Sequence, residues 1–114
     1  MPNTIKTVPY PYTLTEVSYN LLLSVRCGGI YYQGPVHISY VPNGKLLDFE
    51  SMRDCINSIA QIDAPVEDVA RTIFDALRVA LGNAAPLRVM VEITNATLGT
   101  ACITIIDAEE EARG

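Results

Sequence analysis

Cys27 is one of two residues in this 114-residue chain whose position favours chemistry. It ends an alternating stretch and precedes Gly28-Gly29, so the backbone leaves room around the thiol. A thiolate at such a place can attack an electrophilic carbon, such as that of a nitrile or amidine. The alternative is that Cys27 packs as a small apolar side chain, which free cysteines often do. The sequence leaves both roles open.

Glu67 is the second such residue, and it follows Pro65 at the start of a predicted helix. The N–H groups of a first helical turn have no partner within the helix, and a carboxylate there can accept two N–H bonds from the edge of a heterocyclic ring. The alternative is a charge that merely complements the helix dipole, worth about 0.3–1 kcal/mol. Asp68 is the neighbouring candidate for the same role.

Five further side chains are weaker candidates. His37 falls on the polar side of its strand. It is either a general base or a half-exposed sheet residue without a catalytic role. Tyr31 and Tyr32 are expected in a loop, where they stack on a flat heterocycle or pack in a subunit interface. Ser51 and Arg53 either meet a phosphate or line an exposed helical face.

Hydrophobic periodicity predicts the elements that must position these residues. Strict alternation indicates strands, and apolar residues at helical spacing indicate two helices, the first with Asp48 as N-cap and the second ended by Gly82. Gln33-Gly34-Pro35 is interpreted as the turn that introduces the second strand. The predicted elements are strands at Val17–Cys27 and Val36–Val41, helices at about 49–61 and 66–81, and strands at about 87–94 and 101–107.

The order ββααββ predicts an α+β fold, with a four-stranded antiparallel sheet and both helices on one face. Residues 1–13 are expected to form an extended lead-in, 14–107 a single domain, and 108–114 an acidic tail. Four apolar residues fall on the outer face of the sheet, which favours packing against other subunits: Leu22, Val41, Met90 and Ile106.

Composition limits the partners. Hydrophobic residues make up 49% of the chain and charged residues 18%, which favours a homo-oligomer in so small a domain. The net charge is −5 and no basic stripe exists, so nucleic-acid binding by phosphate neutralisation is not expected. No apolar run is long enough for a membrane span. Three cysteines without paired spacing indicate a reducing, cytoplasmic setting.

The element order, with Glu67 opening the second helix, resembles the tunnelling-fold (T-fold) superfamily. That group includes GTP cyclohydrolase I, dihydroneopterin aldolase, 6-pyruvoyl-tetrahydropterin synthase and 7-cyano-7-deazaguanine reductase. The resemblance implies that the sheets close into a barrel through oligomerisation. It also implies a small heterocyclic ligand, a guanine-like 7-deazapurine or pterin ring, bound at a subunit interface and gripped by Glu67.

The branch that the chain resembles most is 7-cyano-7-deazaguanine reductase, a nitrile reductase of queuosine biosynthesis. Ile38–Pro42 resembles the strand before that family's Glu-x-Lys-Ser-x-Lys motif, whose position here is occupied by residues 48–53, Asp-Phe-Glu-Ser-Met-Arg. The resemblance implies Cys27 as the thioimide-forming nucleophile and Asp48 beside the substrate. It implies NADPH as cofactor, near Ser51 and Arg53.

Several family positions differ in this chain. Gly34 stands where the reductase has its proton-donating Asp, Val66 where it has a His, and Glu50 where it has the first motif Lys. These differences favour the alternative of a catalytically silent ligand-binding or structural oligomer. A weaker resemblance to the 6-pyruvoyl- and 6-carboxytetrahydropterin synthases does not bring zinc with it, because those enzymes need three His and this chain has only His37. A pterin-pathway enzyme of the dihydroneopterin aldolase type is the third alternative.

Overall fold

The structure is a computed structural model that describes residues 4–12, 16–82 and 86–106. Its elements in chain order are β1 (Thr7–Tyr10), β2 (Val17–Cys27), β3 (Ile30–Tyr40), β4 (Gly44–Leu47), α1 (Phe49–Ala60), α2 (Val66–Leu81), β5 (Leu87–Asn95) and β6 (Gly99–Ile106). Four strands form an antiparallel sheet in the order β2-β3-β5-β6, and β1 pairs with β4 in a separate two-stranded sheet. The predicted α+β class is confirmed.

The alternation of β2 determines which face of the main sheet is buried. Leu21, Leu23 and Val25 are buried, whereas Leu22 is 76% exposed on the opposite face. The strand register continues this buried face across the sheet. Leu21 of β2 lies opposite Val36 of β3, and Val36 lies opposite a buried residue of β5. One face of the sheet is therefore apolar and covered, and the other is open to solvent.

Both helices cover the inner face. Their apolar stripes, represented by Met52 and Ile56 in α1 and by Ile73 and Leu77 in α2, are almost fully buried in one cluster with the inward residues of the strands. Burial of each such side chain contributes roughly 1.5–3 kcal/mol. The packing of two amphipathic helices on one sheet face thus accounts for the fold.

The helix ends agree with the sequence-based prediction. The Asp48 carboxylate accepts a hydrogen bond of 3.0 Å from the Ser51 backbone N–H and caps α1. Gly82 has a φ of 81°, in the left-handed region, and its N–H bonds to the Arg78 carbonyl at the end of α2. None of the helices in the described ranges is long and apolar enough to cross a membrane.

The predicted start of the second strand is wrong, and so is the predicted loop around Tyr31 and Tyr32. Both tyrosines lie within β3, which begins at Ile30. Gly28 and Gly29 have φ of 62° and 81°, and two such residues make a tight hairpin turn after which strand pairing resumes at once. The glycine pair is therefore the whole connection between β2 and β3.

Gly34 is a strand residue rather than part of a turn. A Cβ at this position would lie 1.9 Å from the Glu92 carbonyl oxygen of β5. Only glycine allows the two backbones to approach so closely. Residues 33–35 resemble a turn in composition because Gly34 is needed for this close approach and is followed by Pro35, which is paired with Leu22 of β2.

The pairing of β1 with β4 was not predicted. Residues 7–10, expected as an extended lead-in, pair antiparallel with residues 44–47. The Asp48 N–H donates to the Lys6 carbonyl, which fixes this ribbon beside the start of α1. The expected acidic tail, residues 108–114, lies outside the described residues.

Candidate functional site

The turn between β2 and β3 is tied to the start of α2. The Asp63 carboxylate accepts hydrogen bonds from the Gly28 and Gly29 N–H groups, at 2.8 and 3.1 Å. The Ala64 N–H donates to the Arg26 carbonyl oxygen at 3.3 Å. These three bonds place the end of β2, where Cys27 lies, beside the first turn of α2. We call this region, Arg26, Cys27, Tyr31, Asp63 and Glu67, the hairpin-end site.

Cys27 is half-buried in the hairpin-end site and lies in a negative electrostatic environment. Burial raises the pKa of its thiol above the ordinary value, and the charges of Asp63 and Glu67 raise it further. Since only the thiolate is a strong nucleophile, each of these effects opposes covalent chemistry at neutral pH. Glu67 is thus close enough to Cys27 for its charge to act on the thiol.

Glu67 is exposed in the first turn of α2, next to Asp68. Its carboxylate makes no hydrogen bond or ion pair within the described ranges. The N-cap residue, Pro65, has no side chain that could bond to the first-turn N–H groups. The carboxylate is therefore free to accept hydrogen bonds from a ligand.

A cavity of about 360 Å³ adjoins the hairpin-end site. It is lined by Ser24, Arg26, Tyr31, Ala60, Gln61 and Asp63, among others. The Arg26 guanidinium lies 4.8 Å from the centre of the Tyr31 ring, a cation–π arrangement. The cavity lies at β2, which is an edge strand of the sheet. It offers an aromatic ring, a cation and a carboxylate to a flat polar molecule.

The two tyrosines of β3 have different surroundings. Tyr31 is 61% exposed on the outer face, and Asn95 donates a hydrogen bond to its carbonyl oxygen. Tyr32 alternates to the inner face, opposite Val25, and packs against the core. Of the pair, Tyr31 is the one whose ring faces the cavity.

His37 is not brought to Cys27 within one chain. It lies on the outer face and is hydrogen-bonded through Nδ1 to the Asn20 side chain. Cys27 is paired with Ile30, and His37 lies seven positions further along β3, about 23 Å along a strand. The two residues predicted to be catalytic therefore belong to different regions of one chain.

Asp48, Ser51 and Arg53 lie at the N-terminus of α1, at the opposite end of the sheet. The Leu47 N–H donates to the Tyr40 hydroxyl at 3.0 Å, which places this region at the end of β3.

These three side chains already have partners. Ser51 Oγ accepts from the Lys6 N–H at 2.8 Å, and Asp48 caps the helix. Arg53 lies 3.9 Å from Glu50 and 3.6 Å from Asp54. The roles of these side chains in binding NADPH and substrate remain predictions. The side chains themselves lie far from Cys27 within one chain.

Asp63 and Arg26 are the residues that sequence reasoning missed as members of the site. The available signal was the Asp63-Ala64-Pro65 sequence before α2, which marks a connection but not its contact with the β2–β3 turn. Within the described part of the chain, no three His, Cys, Asp or Glu side chains are grouped to hold a metal ion.

Comparison with known proteins gives no family assignment. No protein-family model matches the chain, and no curated protein matches it significantly. The functional conclusion therefore depends on the hairpin-end site.

Proposed function

We propose that this chain is a T-fold ligand-binding protein that holds a guanine-like ring, a 7-deazapurine or pterin, at a subunit interface, with Glu67 as the anchor. The observation that carries the proposal is the Glu67 carboxylate, which has no partner among the described residues, acts electrostatically on Cys27 and lies four residues after Asp63, a lining residue of the cavity at the edge of β2. Ligand sites of this kind combine a concave surface with a few convergent polar groups.

The chemistry of the hairpin-end site suits such a ring. A carboxylate is an acceptor-only group, and it pairs with the adjacent ring N–H and exocyclic amino group of a guanine-like edge. Hydrogen bonds to a charged group are roughly twice as strong as neutral ones. The exposed Tyr31 ring offers a stacking surface for the flat face of the ligand.

Assembly supplies the other wall of the site in this proposal. β2 and β6 are the two edges of the sheet, and β6 contains neither a charged residue nor a proline. An unprotected edge of this kind is a template for pairing with another chain. Antiparallel pairing of β6 in one copy with β2 in the next would close a barrel and cover the cavity.

Catalysis by a 7-cyano-7-deazaguanine reductase-like enzyme is the second candidate function. Its first step would add the Cys27 thiolate to the nitrile carbon, and protonation of the nitrile nitrogen would give a thioimide. The raised pKa of Cys27 disfavours the reactive thiolate. Burial of the thiol and the nearby charges of Asp63 and Glu67 therefore favour the silent oligomer over the reductase.

Calorimetry with 7-cyano-7-deazaguanine and with neopterin tests the anchor. Glu67→Gln preserves the size of the side chain but removes its charge and one acceptor. We expect a loss of about 10- to 100-fold in affinity, since hydrogen bonds to charged groups contribute about 1.5–3 kcal/mol.

Asp68→Asn is the matched control, because it removes the same charge from the same first turn and so has the same effect on the helix dipole. Its affinity should remain within about twofold of the wild type if only Glu67 contacts the ring. An unchanged affinity of Glu67→Gln, or an equal loss in Asp68→Asn, would contradict Glu67 as the anchor.

A further inference from the structure

A second cavity lies on the outer face of the sheet, away from the hairpin-end site. It has a volume of about 360 Å³ and is lined by Ser18, Asn20, His37, Ser39, Arg88 and Met90, among others. The strand register explains this grouping. Ser18 lies opposite Ser39 across β2 and β3, and Ser39 lies opposite Arg88 across β3 and β5. Side chains opposite each other on one face are about 4.5–5.5 Å apart at Cβ.

Arg88 differs from the other arginines that the structure describes because its guanidinium makes no hydrogen bond, ion pair or ring contact with another described residue. The others each contact an aromatic ring or an acid: Arg26 lies over Tyr31, Arg53 beside Glu50 and Asp54, and Arg71 and Arg78 over Phe74. Arg88 is exposed at the cavity. Its planar fork of five donors matches the geometry of an oxyanion.

Among the residues that the structure describes, no carboxylate lines this cavity. On the four strands of the main sheet the only acid is Glu92, four residues from Arg88 along β5, about 13 Å away along the strand. Glu16, which precedes β2, is not part of the lining either. Within this described lining, the cavity therefore combines the Arg88 guanidinium with the hydroxyl groups of Ser18 and Ser39.

The remaining polar pair holds the rim of the cavity in place. His37 Nδ1 is hydrogen-bonded to the Asn20 side-chain oxygen across β2 and β3. This bond occupies the Asn20 acceptor, so the groups left to face a ligand are mainly donors. An arrangement of donors around a guanidinium recognises a tetrahedral oxyanion.

We propose that this outer-face cavity binds a phosphate group, either inorganic phosphate or the phosphate of a small monoester. Arg88 supplies the charge and a bidentate pair of N–H donors, and the Ser18 and Ser39 hydroxyls bond to the remaining oxygens. The site does not depend on Glu67, because it lies about 20 Å or more along the strands from the hairpin end. Its failure and the failure of the proposed ring binding are separate results.

An amide chemical-shift titration of the 15N-labelled protein tests the site. Inorganic phosphate should shift the amides of Ser39 and Arg88 and saturate, and methyl phosphate tests the ester in the same way. Tighter binding of methyl phosphate assigns the site to a monoester, and tighter binding of phosphate assigns it to the free ion.

Arg88→Gln should weaken phosphate binding at least tenfold, and Arg88→Lys should give an intermediate loss because it keeps the charge without the fork. Arg71→Gln, an exposed arginine on α2, is the matched control and should change the affinity less than twofold. Any of three results would overturn the proposal: no saturable chemical-shift change in the wild type, an affinity of Arg88→Gln for phosphate equal to that of the wild type, or binding of acetate as tight as that of phosphate.

Discussion

At the scale of single residues, the two carboxylates near Cys27 determine what its thiol can do. The Asp63 carboxylate is held by its hydrogen bonds to the hairpin turn, and Glu67 lies in the first turn of α2. Both charges, together with burial, raise the pKa of the thiol. A residue that resembles a nucleophile in the sequence is thereby kept largely protonated near neutral pH.

Alkylation of Cys27 by iodoacetamide should therefore be slow, and its rate should still be rising above the pH at which ordinary thiols titrate. Glu67→Gln removes one negative charge, which lowers the pKa and increases the thiolate fraction at pH 8, so we expect faster alkylation. The rates are measured by mass spectrometry in a Cys102→Ser background, because Cys102 is exposed.

Asp68→Asn serves as the control for this measurement, since Asp68 does not contribute to the pKa of Cys27. A rate that is the same in Glu67→Gln and in the wild type would contradict the electrostatic explanation.

At the scale of elements, the close approach of β3 and β5 depends on Gly34. Gly34→Ala would place a methyl group 1.9 Å from a backbone carbonyl oxygen that has no freedom to rotate away. The two central strands must then separate, and we expect the free energy of unfolding to fall by about 3 kcal/mol, the upper range for overpacking.

Gly44→Ala is the matched comparison for Gly34→Ala. Gly44 has open space around its Cβ position but a φ of 87°, so alanine there should cost only about 1–2 kcal/mol of backbone strain. Urea denaturation of both variants gives the two values. An equal or smaller loss in Gly34→Ala would contradict the close approach.

The same elements show what the sequence could predict. Local periodicity was sufficient for β2 and for both helices, because apolar spacing alone determines which side is buried. The start of β3 was missed because the reason for a glycine at position 34 is its close approach to Glu92, a residue far away in sequence. The pairing of β1 with β4 was missed for the same reason, since strand partners 34 to 40 residues apart leave no local signal.

At the scale of the whole molecule, the sequence singles out candidate site residues but does not predict how they are arranged. It singled out Cys27 and Glu67, which the structure brings together through Asp63. It also grouped His37 and Asp48 with them, but His37 lies on the outer face of the sheet and Asp48 caps α1. Element order predicts a fold, but which ends of which elements meet is decided by contacts such as that of Asp63 with the hairpin turn.

The open surfaces of the molecule lead to the proposed assembly. The sheet has two unpaired edges, and large apolar side chains remain exposed on its outer face, such as Leu22 at 76% and Ile106 at 58%. Edge pairing between copies would close the sheets into a barrel whose interior is lined by this outer face, and these groups would then be buried. It would also complete the cavity beside Tyr31. In this proposal, ligand binding therefore depends on assembly.

Native mass spectrometry of the wild-type protein, with and without 7-cyano-7-deazaguanine and neopterin, tests assembly and ligand binding together. We expect a closed homo-oligomer that gains one ligand mass per subunit with at least one of the two compounds. A monomer that retains no ligand mass at any concentration tested would contradict it.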